Sequence, residues 1–239
     1  EAGPENADAS ETYQRLIDVI QEAGGPTYDY VNIDPAYNED GGAPNSNIRV
    51  GFIYNPDRVS LKEGTEGTAT DAVTYENGKL SINPGRISPT NEAFENSRKP
   101  LAAQFEFAGE SVVVIANHLN SKRGDQPLFG KHQPPQLKSE AQRMKQAALI
   151  NDFIKEIKAD NPEENVIVLG DMNDFEFSNP LQTLKGEELT NLIDIVPENE
   201  RYTYIYQGNS QVLDHILVSN HLADQTEIDI LHINADFTP

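Results

Sequence analysis

Apolar residues recur at helical spacing in two segments of the chain, residues 7–25 and 139–160. Apolar side chains three and four residues apart fall on one face of a helix, which predicts two amphipathic helices. The apolar positions are Tyr13, Leu16, Ile17 and Ile20 in the first segment, and Ala147, Ile150, Ile154 and Ile157 in the second. Two polar pairs have the spacing of capping boxes: Asp8 with Glu11, and Ser139 with Gln142. A short third helix is predicted for 179–184.

Strand-like runs rich in β-branched and aromatic residues lie between and after these helices. They cover 47–55, 101–107, 111–117, 165–170 and 228–234, together with a hairpin within 201–219 that turns at Gln207, Gly208 and Asn209. The runs 101–107 and 111–117 flank a short Ala-Gly-Glu turn, which predicts a second hairpin. The mixture predicts an α/β fold, and since no linker-like segment interrupts it, we expect residues 1–239 to form a single domain.

Three of the predicted strands end in, or carry, polar side chains of catalytic type. The run VVVIANHLN ends in Asn117, His118 and Asn120; VIVLGDMND ends in Asp171, Asn173 and Asp174; SQVLDHILVS carries Asp214 and His215. Ligands of α/β sheets gather at strand ends for topological reasons, so these three segments are candidates for one site.

The residue types suit hydrolysis of phosphate esters. Asp171 and Asn173 offer the oxygen ligands that a hard divalent cation prefers. His118 is suited to protonating a leaving oxygen near neutral pH. Asn120 and Asn173 could hydrogen-bond phosphoryl oxygens without adding negative charge, and Asp214 could orient or stabilise a histidine.

Simpler interpretations of the same residues stay open at this point. An Asp-x-Asn sequence after a strand is most often an Asx-turn, and a single histidine at a strand end is more often structural or solvated. Asp214 is harder to dismiss, because a carboxylate among leucine and isoleucine side chains is costly unless it is paired. His215 alternates to the opposite face of its strand and is predicted to be structural, and Asp174 and Glu176 are predicted to be turn and surface residues.

Charge and composition narrow the classes of partner. The chain has 239 residues and no cysteine, which excludes disulfides, zinc-thiolate sites and a cysteine nucleophile. Its net charge of −21 repels polyanionic partners at long range. No apolar run is long enough to span a membrane. One loop, 121–136, is basic. We expect several cations to line one rim of the site, chosen from Arg86, Arg98, Lys99, Lys122, Arg123 and Lys131.

The segments NHLNSK, GDMND and LDHILVS, in this order, resemble the central and late motifs of the endonuclease/exonuclease/phosphatase superfamily, whose fold is that of DNase I. The segments NIRVGFIYNP, SRKPLAAQF, GDQPLFGKHQPP and RYTYIYQGNSQVLDHIL are similar to its bacterial extracellular nuclease branch. The resemblance covers essentially the whole chain. It implies a four-layer α/β/β/α sandwich with two mixed sheets face to face, and a protein located outside or on the surface of a bacterial cell.

The resemblance also implies a role for each matching residue. His118 corresponds to the catalytic histidine, Asp171 and Asn173 to the pair that binds metal and phosphate, and Asp214 to the aspartate that supports a terminal histidine. The implied substrate contacts are Asn120 and Arg49, and the basic loop adds Lys122 and Arg123 as expected substrate contacts. The implied cofactor is Mg²⁺, with Ca²⁺ or Mn²⁺ as alternatives.

Two family motifs have no counterpart in residues 1–239: the early Asn and Glu motifs, and the late Ser-Asp-His motif. We therefore expect a sandwich that is incomplete at both ends, weak or absent activity, and self-association through exposed sheet edges. The expected function is metal-dependent hydrolysis of nucleic-acid phosphodiester bonds, in DNA more than in RNA. The alternatives are a phosphomonoesterase or phospholipid phosphodiesterase of the same fold, and a non-catalytic binding domain.

Overall fold

The computed structural model describes residues 6–127 and 129–233. Its α-helices are α1 (Ser10–Glu22), α2 (Glu140–Asp160), α3 (Asn179–Lys185) and α4 (Asn220–Ala223). Three single-turn 3₁₀ helices cover Glu92–Phe94, Leu192–Ile195 and Glu198–Glu200. The three predicted helices are thus confirmed as α1, α2 and α3.

Thirteen short strands are present in the described residues. They are β1 (Asp29–Asn32), β2 (Gly51–Tyr54), β3 (Val59–Leu61), β4 (Tyr75–Glu76), β5 (Lys79–Leu80), β6 (Gly85–Arg86), β7 (Leu101–Phe107), β8 (Glu110–His118), β9 (Asn165–Asp171), β10 (Leu189–Asn191), β11 (Tyr204–Tyr206), β12 (Asn209–Gln211) and β13 (Asp214–Ser219). Both predicted hairpins are confirmed, as β7–β8 and β11–β12.

The central sheet has the strand order β10-β13-β9-β8-β7-β3, and β6 pairs with β7 beside this path. Only β8 and β9 pair in parallel, with α2 as their crossover, and the other pairs are antiparallel. The sheet is therefore mixed, as predicted. Its parallel pair brings the ends of β8 and β9 to one edge of the sheet.

Apolar side chains bury both faces of this sheet. The larger cluster lies on the α2 side, where Ile150 and Ile154 of the helix pack with Val113, Ile115 and Val168 of the strands. On the opposite face, Val31 of β1 packs with Ala103 and Phe105 of β7. The residues of one strand alternate between the two clusters, which is the periodicity of a sheet covered on both sides.

The order of layers is that of the predicted sandwich, but the second sheet is a two-stranded antiparallel pair in the described residues and not the predicted mixed sheet. Strands β1 and β2 form a separate antiparallel pair over the second face of the central sheet. Tyr30 alternates with Val31 and so points away from the central sheet, where its ring stacks on Tyr13 of α1 with centroids 4.7 Å apart. Helices α2 and α3, the central sheet, β1–β2 and α1 therefore follow one another, and the α/β fold class is confirmed.

Several local predictions are wrong. Neither helix begins with a capping box: α1 starts after Ala9, and Ser139 uses its hydroxyl to donate to Asp125 Oδ2 at 2.5 Å. Residues 228–233 form no strand, because Ile228 and Ile230 pack on the cluster of Ile193, Val196 and Val212 instead; position 234 lies outside the described residues. Strand β1, at 29–32, was not predicted.

Candidate active site

The three polar strand ends meet in register. In the parallel pair β8–β9, His118 is the direct partner of Asp171, and in the antiparallel pair β9–β13, Asp214 is the direct partner of the same Asp171. All three residues alternate with side chains of the α2-side core, so they share the opposite face of the sheet. The Nε2 atom of His118 lies 3.3 Å from Oδ2 of Asp171, and both side chains are partly exposed.

The electrostatics of this cluster favour the neutral form of His118 and oppose ionisation of the Asp171 carboxyl group. Burial, and next the charge of Arg98, lower the pKa of His118 to about 4, although Asp214 acts in the opposite direction. Burial raises the pKa of Asp171, and Asp214 adds to this rise, whereas the Asn173 amide and Arg98 oppose it. A cation placed beside Asp171 would therefore relieve an unfavourable charge.

The turn after β9 is an Asx-turn and also part of the cluster. The Asn173 amide donates to Oδ1 of Asp171 at 2.8 Å, which is the turn that the simpler interpretation predicts. Asn173 has a φ of 51° and donates its Nδ2 to the carbonyl of Leu119 at 3.0 Å, so the turn is tied to the segment that follows β8. The two interpretations of GDMND are therefore compatible.

Close approach of the strands requires the glycine before Asp171. Gly170 has a φ of 128°, and a Cβ atom there would lie 2.0 Å from the carbonyl oxygen of Asn117 on β8. Any other residue would separate the ends of β8 and β9 or distort them.

The exposure of Asp214 differs from the prediction. The argument from sequence placed its carboxylate among apolar side chains, where it would need a partner. In the structure Asp214 is exposed at the first position of β13, and its amide donates to Thr203 Oγ1 at 3.2 Å. The prediction for His215 is confirmed: it is buried on the opposite face and hydrogen-bonded to Asn191 and to the carbonyl of Asp174.

A groove of about 750 Å³ lies beside the cluster, and Arg98, Asn120 and Arg123 are among its lining residues. Arg98 donates Nη2 to the carbonyl of Leu119 at 2.8 Å, while its buried Nε has no hydrogen-bond partner among the described residues. The amide of Asn120 donates to Gln146 Oε1 at 2.9 Å, which fixes the start of the loop that leads to Arg123.

Other predicted cations are engaged elsewhere. Arg49 is 5% exposed at its side chain and forms an ion pair with Asp34 and a hydrogen bond with Asn32, so it does not join the cluster. Lys122 forms an ion pair with Asp174 at 2.8 Å and lies 4.5 Å from the centre of the Phe175 ring. Two further predicted rim cations, Arg86 and Lys99, are buried in ion pairs with Asp40. Of the six rim candidates, Arg98 and Arg123 line the groove.

Asp174 is not the surface residue that the sequence suggested. It is 2% exposed and accepts a hydrogen bond from Arg143 Nε at 2.8 Å. Arg143 and Gln146 were missed by sequence reasoning. A signal was available, because they lie four residues before Ala147 and Ile150 and so continue the buried stripe of α2 toward its N-terminus.

The donor set around Asp171 fits a magnesium-like cation in part. Among residues 6–127 and 129–233, no group of three or more His, Cys, Asp or Glu side chains is arranged to hold a metal ion. The register nevertheless pairs Asp171 with Asp214, so two carboxylates lie on one face of the sheet, and Asn173 carries an amide oxygen two residues after Asp171. Mg²⁺ is commonly held by one or two carboxylates, with waters and substrate oxygens as its remaining ligands, so these residues fit such an ion.

Two solved structures share this fold at low sequence identity, and a third matches with a lower TM-score. The human Nocturnin catalytic domain matches with a TM-score of 0.53 and 14% identity, over 91% of this chain and 67% of that one. The humanised D. rerio TDP2 matches with a TM-score of 0.51 and 18% identity, over 90% and 68%. A Bacteroides thetaiotaomicron mannosyl-6-phosphatase matches with a TM-score of 0.49 and 15% identity, over 87% and 68%.

Comparison by sequence identifies the family itself. No curated protein matches the chain. No helix in the described part of the chain has the length and apolar character needed to cross a membrane. The family model of the endonuclease/exonuclease/phosphatase family matches residues 70–237, which is more than half of the chain and includes all three strand-end motifs. This protein therefore belongs to the endonuclease/exonuclease/phosphatase family, a largely hydrolytic family of nucleases and phosphatases.

Proposed function

We propose that the protein is a metal-dependent phosphodiesterase that hydrolyses nucleic acid, DNA in preference to RNA, at the site formed by His118, Asp171, Asn173 and Asp214. The observation that carries the proposal is the register of the central sheet, in which His118 and Asp214 both pair directly with Asp171. His118, Asp171 and Asp214 thus meet at the ends of neighbouring strands, although together they span about a hundred residues of sequence.

The residues of the site divide the work of phosphodiester hydrolysis. Mg²⁺, Ca²⁺ or Mn²⁺ bound at Asp171 and Asn173 would neutralise charge on the phosphate. His118 is neutral near pH 7 and lies with Nε2 against Asp171, so its imidazole would accept a proton from the attacking water and is not the acid expected from the sequence. Asn120 and Asn173 would donate side-chain hydrogen bonds to phosphoryl oxygens, and Asp214 would stabilise positive charge on His118 when it forms.

Support for a polyanionic substrate comes from the groove beside the cluster. Arg98 and Arg123 concentrate positive charge there, in a chain whose net charge is −21. Because bound cations and local arginines set the potential at short range, the overall acidity and a nucleic-acid substrate are compatible.

Parallel assays with plasmid DNA, RNA, bis-p-nitrophenyl phosphate, p-nitrophenyl phosphate and sphingomyelin vesicles test the proposal, each with Mg²⁺, Mn²⁺ or Ca²⁺ and with EDTA. We expect metal-dependent nicking of DNA and turnover of the diester, both at the weak level predicted from the sequence. H118Q should lower the rate about 10²–10⁴-fold, the usual effect of losing an acid–base group. The exposed Asp224 provides a matched control, and D224N should keep the wild-type rate.

The outcomes separate the candidate functions. Faster turnover of the monoester would favour a phosphomonoesterase, and selective turnover of sphingomyelin a phospholipid phosphodiesterase. DNA binding without turnover of any ester would favour a binding domain. Each of these three results would overturn the proposal.

Location outside a bacterial cell and self-association through sheet edges stay predictions. The short outer strands β3 and β10 are the edges at which such pairing would occur. Size-exclusion chromatography with light scattering decides the second prediction, since a monomer across the micromolar range would contradict it.

A further inference from the structure

Arg143 of α2 is fully buried and contacts the segments that follow β8 and β9. Its side chain is 0% exposed and projects from the first turns of α2. The guanidinium donates from Nε to Asp174 Oδ2 at 2.8 Å and from Nη1 to the carbonyl of Asn120 at 3.1 Å. It also donates to Ser139 Oγ, and Nη2 lies 3.5 Å from Asp125 Oδ2.

The partners of Arg143 belong to both segments that carry proposed site residues. Asn120 follows β8 and lies two residues after His118. Asp174 follows β9 and lies three residues after Asp171. One rigid, planar side chain therefore spans the ends of the two parallel strands from behind the sheet.

The turn at Asp174 is held from a second direction as well. His215 of β13 is hydrogen-bonded through Nε2 to the carbonyl of Asp174 at 2.9 Å, and through Nδ1 to Asn191 Nδ2 at 3.0 Å. An amide nitrogen can only donate, so Nδ1 accepts and Nε2 donates, which is a neutral imidazole. Burial lowers the pKa of His215, which agrees with this state. The turn is thus fixed to α2 by its side chain and to β13 by its main chain.

A buried ion pair adds little stability to a helix interface, because both charges must first lose their hydration. The remaining buried face of α2 is mostly apolar, and replacing a buried ion pair by apolar residues is often neutral or stabilising. Arg143 and Asp174 are therefore better explained by the geometry they impose than by the stability they add.

We infer that Arg143 and Asp174 are positioning residues, which hold the segments after β8 and β9 so that His118, Asn120, Asp171 and Asn173 face one phosphate group. The inference rests on the proposed function for its reaction. Neither residue touches the reacting atoms, because both lie behind the sheet edge and are closed off from solvent.

The test compares R143M, R143K and D174N with N151L. Asn151 lies on the same helix, is 4% exposed and donates hydrogen bonds to Leu184 O and Glu188 Oε2, so N151L removes buried hydrogen bonds away from the site. Two quantities are measured: kcat and KM for bis-p-nitrophenyl phosphate with Mg²⁺, and amide hydrogen exchange at Asn120 and Asn173.

We expect R143M to lower kcat about 10²-fold with little change in KM, as misplacement by about 1 Å does. R143K and D174N keep part of the contact and should lie between R143M and the wild type. Exchange should accelerate at Asn120 and Asn173 in R143M, because the Asn120 amide donates to Gln146 of α2 and the Asn173 amide to Asp171, and both hydrogen bonds require the two segments to stay in place. N151L should lower the unfolding temperature and leave kcat and both amides unchanged.

The two readouts separate the inference from the function on which it rests. If the wild type turns over no diester, the proposed function fails, and hydrogen exchange alone decides whether Arg143 holds the two segments. Unchanged exchange at both amides in R143M, or an equal loss of kcat in N151L, would overturn the inference. If R143M does not fold, R143K and D174N decide by the same criteria.

Discussion

His118 Nε2 lies 3.3 Å from Asp171 Oδ2, across a parallel strand pair in which the two residues are direct partners. The two side chains come from positions 53 residues apart, joined by the basic loop and by α2. Their contact depends on the parallel register, since a slip of one residue would turn one of the two to the opposite face.

Replacing His118 by Asn should make the protein less sensitive to acid. In the folded state the pKa of His118 is about 4, against 6.5 for an unperturbed histidine, mainly because of burial. Between these values the unfolded chain binds a proton that the folded chain does not, so the wild type loses stability as pH falls from about 6.5 to about 4. Urea unfolding at pH 7.5 and pH 5 measures this. Equal losses in H118N and the wild type would contradict the prediction.

Without metal, D171N should be more stable than the wild type at pH 8. Burial and Asp214 raise the pKa of Asp171, so the stability linked to this group is present at low pH and is lost as pH rises through the folded-state pKa. Asn at this position still accepts the Asn173 amide hydrogen and carries no charge. Thermal unfolding in EDTA measures the effect, and a lower unfolding temperature for D171N would refute it.

Adding Mg²⁺ should reverse that order. A ligand at ten times its dissociation constant stabilises the folded state by about 1.4 kcal/mol, and D171N lacks the carboxylate that attracts the cation. Thermal unfolding with increasing MgCl₂ should therefore raise the unfolding temperature of the wild type and of D224N more than that of D171N. Parallel curves for all three proteins would argue against a cation at Asp171.

G170A should destabilise the protein by about 3 kcal/mol, combining an unfavourable backbone conformation with overpacking. The φ of Gly170 is 128°, and a Cβ atom at this position would lie 2.0 Å from the carbonyl oxygen of Asn117. Gly78 is a matched control, because it has a φ of 74° but nothing within 4 Å of the position of its Cβ. Denaturant unfolding of G170A and G78A isolates the clash, and equal losses would contradict it.

Loss of Arg123 should weaken DNA binding, whereas loss of Arg49 should lower the stability of the fold. Arg123 is exposed and lines the groove, so R123A should weaken DNA binding and lower the salt dependence by about one ion, with little effect on stability. R49M leaves Asn32 and Asp34 without their buried partner and should cost about 1–3 kcal/mol of stability. Fluorescence anisotropy with labelled DNA at several salt concentrations and urea unfolding measure both. Equal effects on DNA binding would overturn this division.

Much of the fold could be predicted from local pattern. Alternating and helical periodicities located α1, α2, α3, β7, β8 and β9, because each of these elements has an apolar face that must be buried. The elements that pattern missed or misplaced depend on distant contacts. Strand β1 exists because β2 pairs with it across an 18-residue connection, and 228–233 forms no strand because its isoleucines find a cluster to pack on.

The sequence by itself determined which residue types reach the strand ends: a histidine, two aspartates and two asparagines, each delivered by an apolar strand. Tertiary structure alone decided which polar side chains meet there. In sequence, Arg49 and Lys122 are as good candidates for the groove as Arg98 and Arg123. In the structure Arg49 pairs with Asp34 and Lys122 with Asp174, and neither lines the groove. The physical reason is that a cation pairs with whichever carboxylate the fold brings within reach, and a counterion such as Asp34 or Asp174 is identified only once the chain has folded.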